Sequence, residues 1–182
     1  MAFATIDVTK GITGVTPVAN GGTALSSGFK NGVDPRPLSK PIIINGDMTI
    51  AQRDTSVTGK TSSGYYTCDR IQLAMNDAGT YTVTQETSTS GNAYANGFAE
   101  AYRIDCTTAD ASVAADSQLF IKYKVEARDA QVFKKGTANA EKFTLAFWVK
   151  SNKTGTGQVN LRDEVNTRQC SATYTISSAN TW

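Results

Sequence analysis

From residue 42 onward the chain contains no proline, and its apolar and polar residues alternate in short runs separated by turn-forming residues. A period of two places every second side chain on one face, the pattern of half-buried strands. Tyr81-Thr82-Val83-Thr84, Tyr102-Arg103-Ile104-Asp105 and Leu119-Phe120-Ile121-Lys122-Tyr123-Lys124-Val125 are such runs. Phe143-Thr144-Leu145-Ala146-Phe147-Trp148-Val149-Lys150, Val159-Asn160-Leu161-Arg162 and Ala172-Thr173-Tyr174-Thr175-Ile176 repeat the pattern. Asn45-Gly46-Asp47, Gly91-Asn92 and Gly155-Thr156-Gly157 lie between runs and supply the positive φ angles of tight turns. One or two helical turns are expected over residues 128–135, with Gly136 as their cap. The 25 Thr and 14 Ser among 182 residues suit pleated surfaces and turns better than helices. These features predict an all-β fold, an antiparallel β-sandwich over residues 41–182. Shared parity assigns Ile121, Tyr123, Phe143, Leu145, Phe147, Leu161 and Tyr174 to its core.

The first 40 residues are different material. All four prolines fall within the first 41 positions, and six of the fifteen glycines within the first 40. Large apolar residues are too sparse there to offset the entropy of ordering. Residues 1–40 are therefore expected to form an extended arm that is disordered or ordered by a partner.

Composition narrows the function. Eighteen basic against sixteen acidic residues leave a net charge of +2, too weak for a phosphate-neutralising surface, so no nucleic-acid partner is expected. The chain has no histidine, which removes the commonest general base and metal ligand and with it the familiar serine and cysteine triads and most zinc sites. The longest apolar run is five residues, 145–149, against the roughly 20 needed to cross a bilayer, and no signal peptide is recognisable. A soluble protein without membrane insertion is the expectation. Cys68, Cys106 and Cys170 form no Cys-x-x-Cys pair, are odd in number, and are read as reduced thiols.

Motifs of catalytic type fall away on inspection. Thr58-Gly59-Lys60-Thr61 looks like the end of a phosphate loop, but Asp54 stands where the first glycine belongs and Ser62-Ser63-Gly64 replaces the following helix. It is read as a polar hairpin turn. Asn152-Lys153-Thr154 fits a glycosylation sequon without a secretion signal and is assigned no role. Asp163-Glu164, and Asp105 with Asp110, are read as solvated charges, since nothing fixes them at the separation of a glycosidase pair. No catalytic residue, metal site or cofactor is expected, and the chain is read as no enzyme.

Trp148 is the exception to a bland surface. In its run it shares the polar face with Thr144, Ala146 and Lys150, opposite the apolar parity. Taken with the following strands, the polar face gathers Trp148, Lys150, Asn160, Arg162 and Thr173. A flat ring beside amide, hydroxyl and charged groups suits a sugar or a subunit interface.

Several segments also resemble a known family. The stretch EKFTLAFWVKSNKTGTGQVNLRDEVNTRQCSATYTISSANTW, with KKGTANA before it, resembles a β-sandwich domain recurrent in tail-fibre and other virion surface proteins of bacteriophages. PIIINGDMTIAQRDTSVTGKTSSGYYTCDRIQLAM is similar to the start of that domain, in which an Ile-Asn-Gly segment leads to Ala-Gln-Arg and then to Tyr-x-x-Asp-Arg, here residues 66–70. TPVANGGTAL, residues 16–25, resembles a Gly-Gly-Thr motif of trimeric fibre stalks and attachment segments, and marks Pro17, Gly21, Gly22 and Thr23 as virion-attachment candidates. The resemblance implies a jelly-roll sandwich like those of carbohydrate-binding modules, a homotrimer, and contacts with other virion proteins and with a host surface glycan. It also implies that the domain continues beyond Trp182. The expected protein is a structural component of the virion, a tail fibre or spike made in the host cytoplasm. A capsid-decorating head fibre and a polysaccharide-degrading tail spike are the alternatives. Trimer symmetry favours the interface reading of the Trp148 face.

Overall fold

A computed structural model of the chain describes residues 42–182. Seven strands form within them: β1 (Ser56–Lys60), β2 (Ile71–Asn76), β3 (Thr80–Thr87), β4 (Glu100–Thr108), β5 (Gln118–Tyr123), β6 (Gly155–Asp163) and β7 (Arg168–Ile176). Every ladder is antiparallel, and the fold is all-β. One sheet has the order β1-β3-β4, a second pairs β2 with β5, and β6 pairs with β7 in a third. The chain thus leaves the first sheet after β1, returns for β3 and β4, and leaves again for β5.

That alternation places the core between two sheets. Leu73 and Met75 of β2 cluster with Tyr81 and Val83 of β3, and Val57, Tyr66, Ala78, Tyr102 and Ile104 pack around them. Leu73 and Val83 are wholly buried, as is Cys68 in the loop before β2. Packing of one sheet face on another makes this part of the chain sandwich-like.

Five of the six runs read as strands lie in ladders, but 143–150 does not: among the described residues no ladder includes it. The expected core also shifts. Phe143, Leu145, Phe147, Ile121 and Leu161 are all exposed, Phe147 by 49 %, while Tyr123 and Tyr174 are half-buried. The physical reason lies in β2. Its Ile71, Leu73 and Met75 are buried on one face and Ala74 on the other, so the deepest burial falls on a strand in which the small Ala74 interrupts the polar parity. Parity identifies half-buried strands and passes over a strand covered on both sides.

Glycines correct three local expectations. Gly59, read as part of a hairpin turn, lies inside β1 at φ 67°, where the register with β3 shifts between Val57 and Lys60. Gly157, read as a turn residue, is a strand residue opposite Tyr174, whose ring would lie 2.3 Å from any Cβ placed there. The absent side chain is what admits that ring. The helical turn near residue 128 forms as α1 (Ala127–Ala130) and a 3-10 turn (Gln131–Phe133), but Lys134 at φ 49° closes it before Gly136. A further short helix, Asn92–Ala95, follows Gly91 in the connection from β3 to β4.

Candidate functional site

The β6–β7 ribbon carries three of the five polar-face candidates. Gln158 stands opposite Thr173, Asn160 opposite Ser171 and Arg162 opposite Gln169, so Asn160, Arg162 and Thr173 share one side. Asn160 is the hub of that face: its Oδ1 accepts from Gln158 Nε2 at 3.0 Å and from Ser171 Oγ at 2.7 Å. Arg162 Nε lies 3.5 Å from Glu164, which also pairs with Lys122 of β5 at 3.4 Å. The turn joining the two strands is organised by Asp163, whose carboxylate accepts from the backbone of Val165 and Asn166 and from the Asn166 side chain at 2.6 Å. Those hydrogen bonds from Asn166 hold its pKa below the ordinary carboxylate value.

Trp148 and Lys150 have other surroundings. Trp148 is 40 % exposed, and the Lys150 ammonium stands 4.8 Å above the Trp182 ring. The backbone N–H of Asn180 donates to the Ser151 carbonyl at 2.7 Å, which brings the C-terminal residues to this segment. On the apolar side, Phe147 meets Tyr174 edge to face at 5.2 Å. Pro17, Gly21, Gly22 and Thr23 lie outside the described residues.

The structure joins a second group that the sequence offers only as fragments. Asn45 adopts φ 59° and its side chain bridges two loops, donating to the carbonyls of Ile50 and Asp69 at 2.9 Å each and accepting from the Ile50 N–H at 2.9 Å. The Asp69 N–H donates to the Ile50 carbonyl at 2.8 Å, and Arg53 closes the latch on the Asp69 carboxylate at 3.1 Å. Behind it, Cys68 Sγ and Gln85 Nε2 both reach the Met48 carbonyl. Burial pushes the Cys68 thiol above its ordinary pKa and keeps it protonated. The Ile-Asn-Gly, Ala-Gln-Arg and Asp-Arg segments are therefore one cluster in space. Comparison with protein-family models, curated proteins and solved structures found no match. The signal for this cluster in the sequence was an asparagine in a turn, followed within 25 positions by two separate arginines and an aspartate. Spacing alone does not tell that the two loops touch.

Among the described residues, no group of three or more Cys, Asp or Glu side chains is placed to hold a metal ion, and no helix is long and apolar enough to cross a membrane. Several carboxylates lie in surface ion pairs, such as Glu86 and Asp105 with Arg103. Pairs this exposed are worth little to stability.

Proposed function

We propose that the chain is a non-enzymatic structural component of a bacteriophage virion, a tail fibre or spike. Residues 1–40 attach it to the particle, and the body projects a jelly-roll sandwich toward host surface glycans as a homotrimer. The observation that carries this reading is the apolar surface of the strands. Leu119, Phe120 and Ile121 of β5, Phe143, Leu145, Phe147 and Trp148 of the neighbouring run, and Leu161 of β6 are all exposed. Isolated two-stranded ribbons are marginal in water, and large apolar side chains left exposed in this number are normally covered by further protein. Strands completed by neighbouring subunits are what a fibre protomer needs.

Immunogold labelling of phage particles with an antibody against residues 41–182 is expected to decorate a tail appendage, and unlabelled particles would overturn the proposal. Sedimentation of the purified chain with and without Trp148→Ala separates the two uses of that face. Loss of trimer on substitution supports an interface. An intact trimer that no longer binds glycan supports a ligand site, and no change in either property removes Trp148 from both.

A further inference from the structure

The β2–β5 ladder ends on an electrostatic conflict. Its last rung pairs Ile71 with Tyr123, and the next residue on each segment, Arg70 on one and Lys124 on the other, lines one depression. Like charges gathered in this way repel. Arg70 is paired with Glu126 and Arg53 with Asp69, but Lys124 has neither ion pair nor hydrogen bond among the described residues. Asp129 also lies in the field of Arg70, so the charge left without a close partner here is that of Lys124 alone.

These groups surround an open depression of about 300 Å³ lined by Arg53, Tyr65, Arg70, Lys124 and Glu126. It shares Arg53 and Arg70 with a second depression of about 270 Å³ beside Asp69. Tyr65 leaves its ring partly exposed, with the Arg53 guanidinium 5.9 Å from the ring centroid. Arg70 is held at φ 70°, a left-handed conformation uncommon outside glycine. Such strain persists where the surroundings over-determine it, and it gathers at ligand sites. The supports here are the Asn45 latch on one side and buried Ile71 on the other.

The geometry points to a subsite for an acidic saccharide residue. A sugar ring lies against Tyr65, and its anionic substituent accepts hydrogen bonds from Arg70 and Lys124, giving Lys124 a partner. Carboxylate and sulfate esters share this chemistry. The assignment rests on the glycan-attachment part of the proposed function, whereas particle labelling tests the virion part, so the two fail separately.

Titration calorimetry of the 182-residue chain at low salt compares a galacturonate trisaccharide, a sulfated galactose trisaccharide and neutral galactotriose, with inorganic phosphate as a further probe. At least one acidic sugar is expected to bind and the neutral one not, and the arm that binds identifies the substituent. Lys124→Gln, which removes a group with no partner to disturb, should weaken binding about fivefold or more, and Tyr65→Ala should abolish it. Thermal unfolding of both variants confirms that they fold, and Lys124→Gln carries the test if Tyr65→Ala does not. The inference is overturned if neither acidic sugar binds, if galactotriose or phosphate binds as tightly, or if Lys124→Gln binds like the parent.

Discussion

Leu73 and Ile121 face each other across the β2–β5 ladder, and truncating them to alanine should give very different costs. Leu73 is wholly buried in the cluster with Met75, Tyr81 and Val83. Leu73→Ala removes three carbon atoms, about 2.4 kcal/mol of transfer energy at roughly 0.8 kcal/mol per carbon. The void left between two sheets adds a cavity contribution, which brings the expected loss to about 3 to 5 kcal/mol. Ile121 is 50 % exposed. Its truncation forfeits about half the same transfer energy, near 1 kcal/mol, and water fills the space so that no cavity remains. Urea unfolding followed by tryptophan fluorescence, at concentrations where sedimentation shows a monomer, reads both. With a slope of about 2 kcal/mol per molar, the midpoint should fall by about 2 M for Leu73→Ala and by about 0.5 M for Ile121→Ala. Equal shifts would refute the reasoning, because they would mean that the Leu73 face stays covered within the single chain as far as Ile121 on β5.

Three other expectations follow from single groups. The Tyr102 hydroxyl is buried with no hydrogen-bond partner among the described residues, and burial raises its pKa. Tyr102→Phe should therefore be neutral or stabilising by up to about 1 kcal/mol in the same unfolding assay, where a clear loss would reveal a bond to that oxygen. Asp163 has a folded pKa below its unfolded value, so its contribution is complete above the unfolded carboxylate range and is lost as pH falls through the folded value. Amide shifts of Val165 and Asn166 should move in that acid window and stay fixed in Asp163→Asn; identical titrations in both proteins would assign the change elsewhere. Cys106 and Cys170 are exposed and Cys68 is buried with a raised pKa. An alkylating reagent near neutral pH should modify two thiols quickly and the third only on unfolding, with rapid modification of all three contradicting the packing around Cys68.

The sequence by itself determined the class of fold and most of the strands. Alternation such as Tyr81-Thr82-Val83-Thr84 is a local property, because successive side chains of a strand point to opposite faces whatever the strand pairs with. The same parity correctly grouped Asn160, Arg162 and Thr173 on one side of the β6–β7 ribbon, since register between neighbours preserves it. Which parity is buried is not local. Phe147 and Ile121 carry the pattern of core residues yet are exposed, and Leu73 of β2 is central, because burial depends on which sheet lies across the gap. The turn glycines divide likewise. Gly91 is legible as a positive-φ residue, but Gly157 is explained only by a ring that arrives from β7. The latch of Asn45, Arg53 and Asp69 needed the tertiary structure for the same reason. Its hydrogen bonds join loops up to 24 residues apart, and Arg70 and Lys124, 54 positions apart, line one depression only because β2 and β5 meet. Sequence spacing records how far apart such groups are along the chain, while the field that a ligand meets depends on how far apart they are in space.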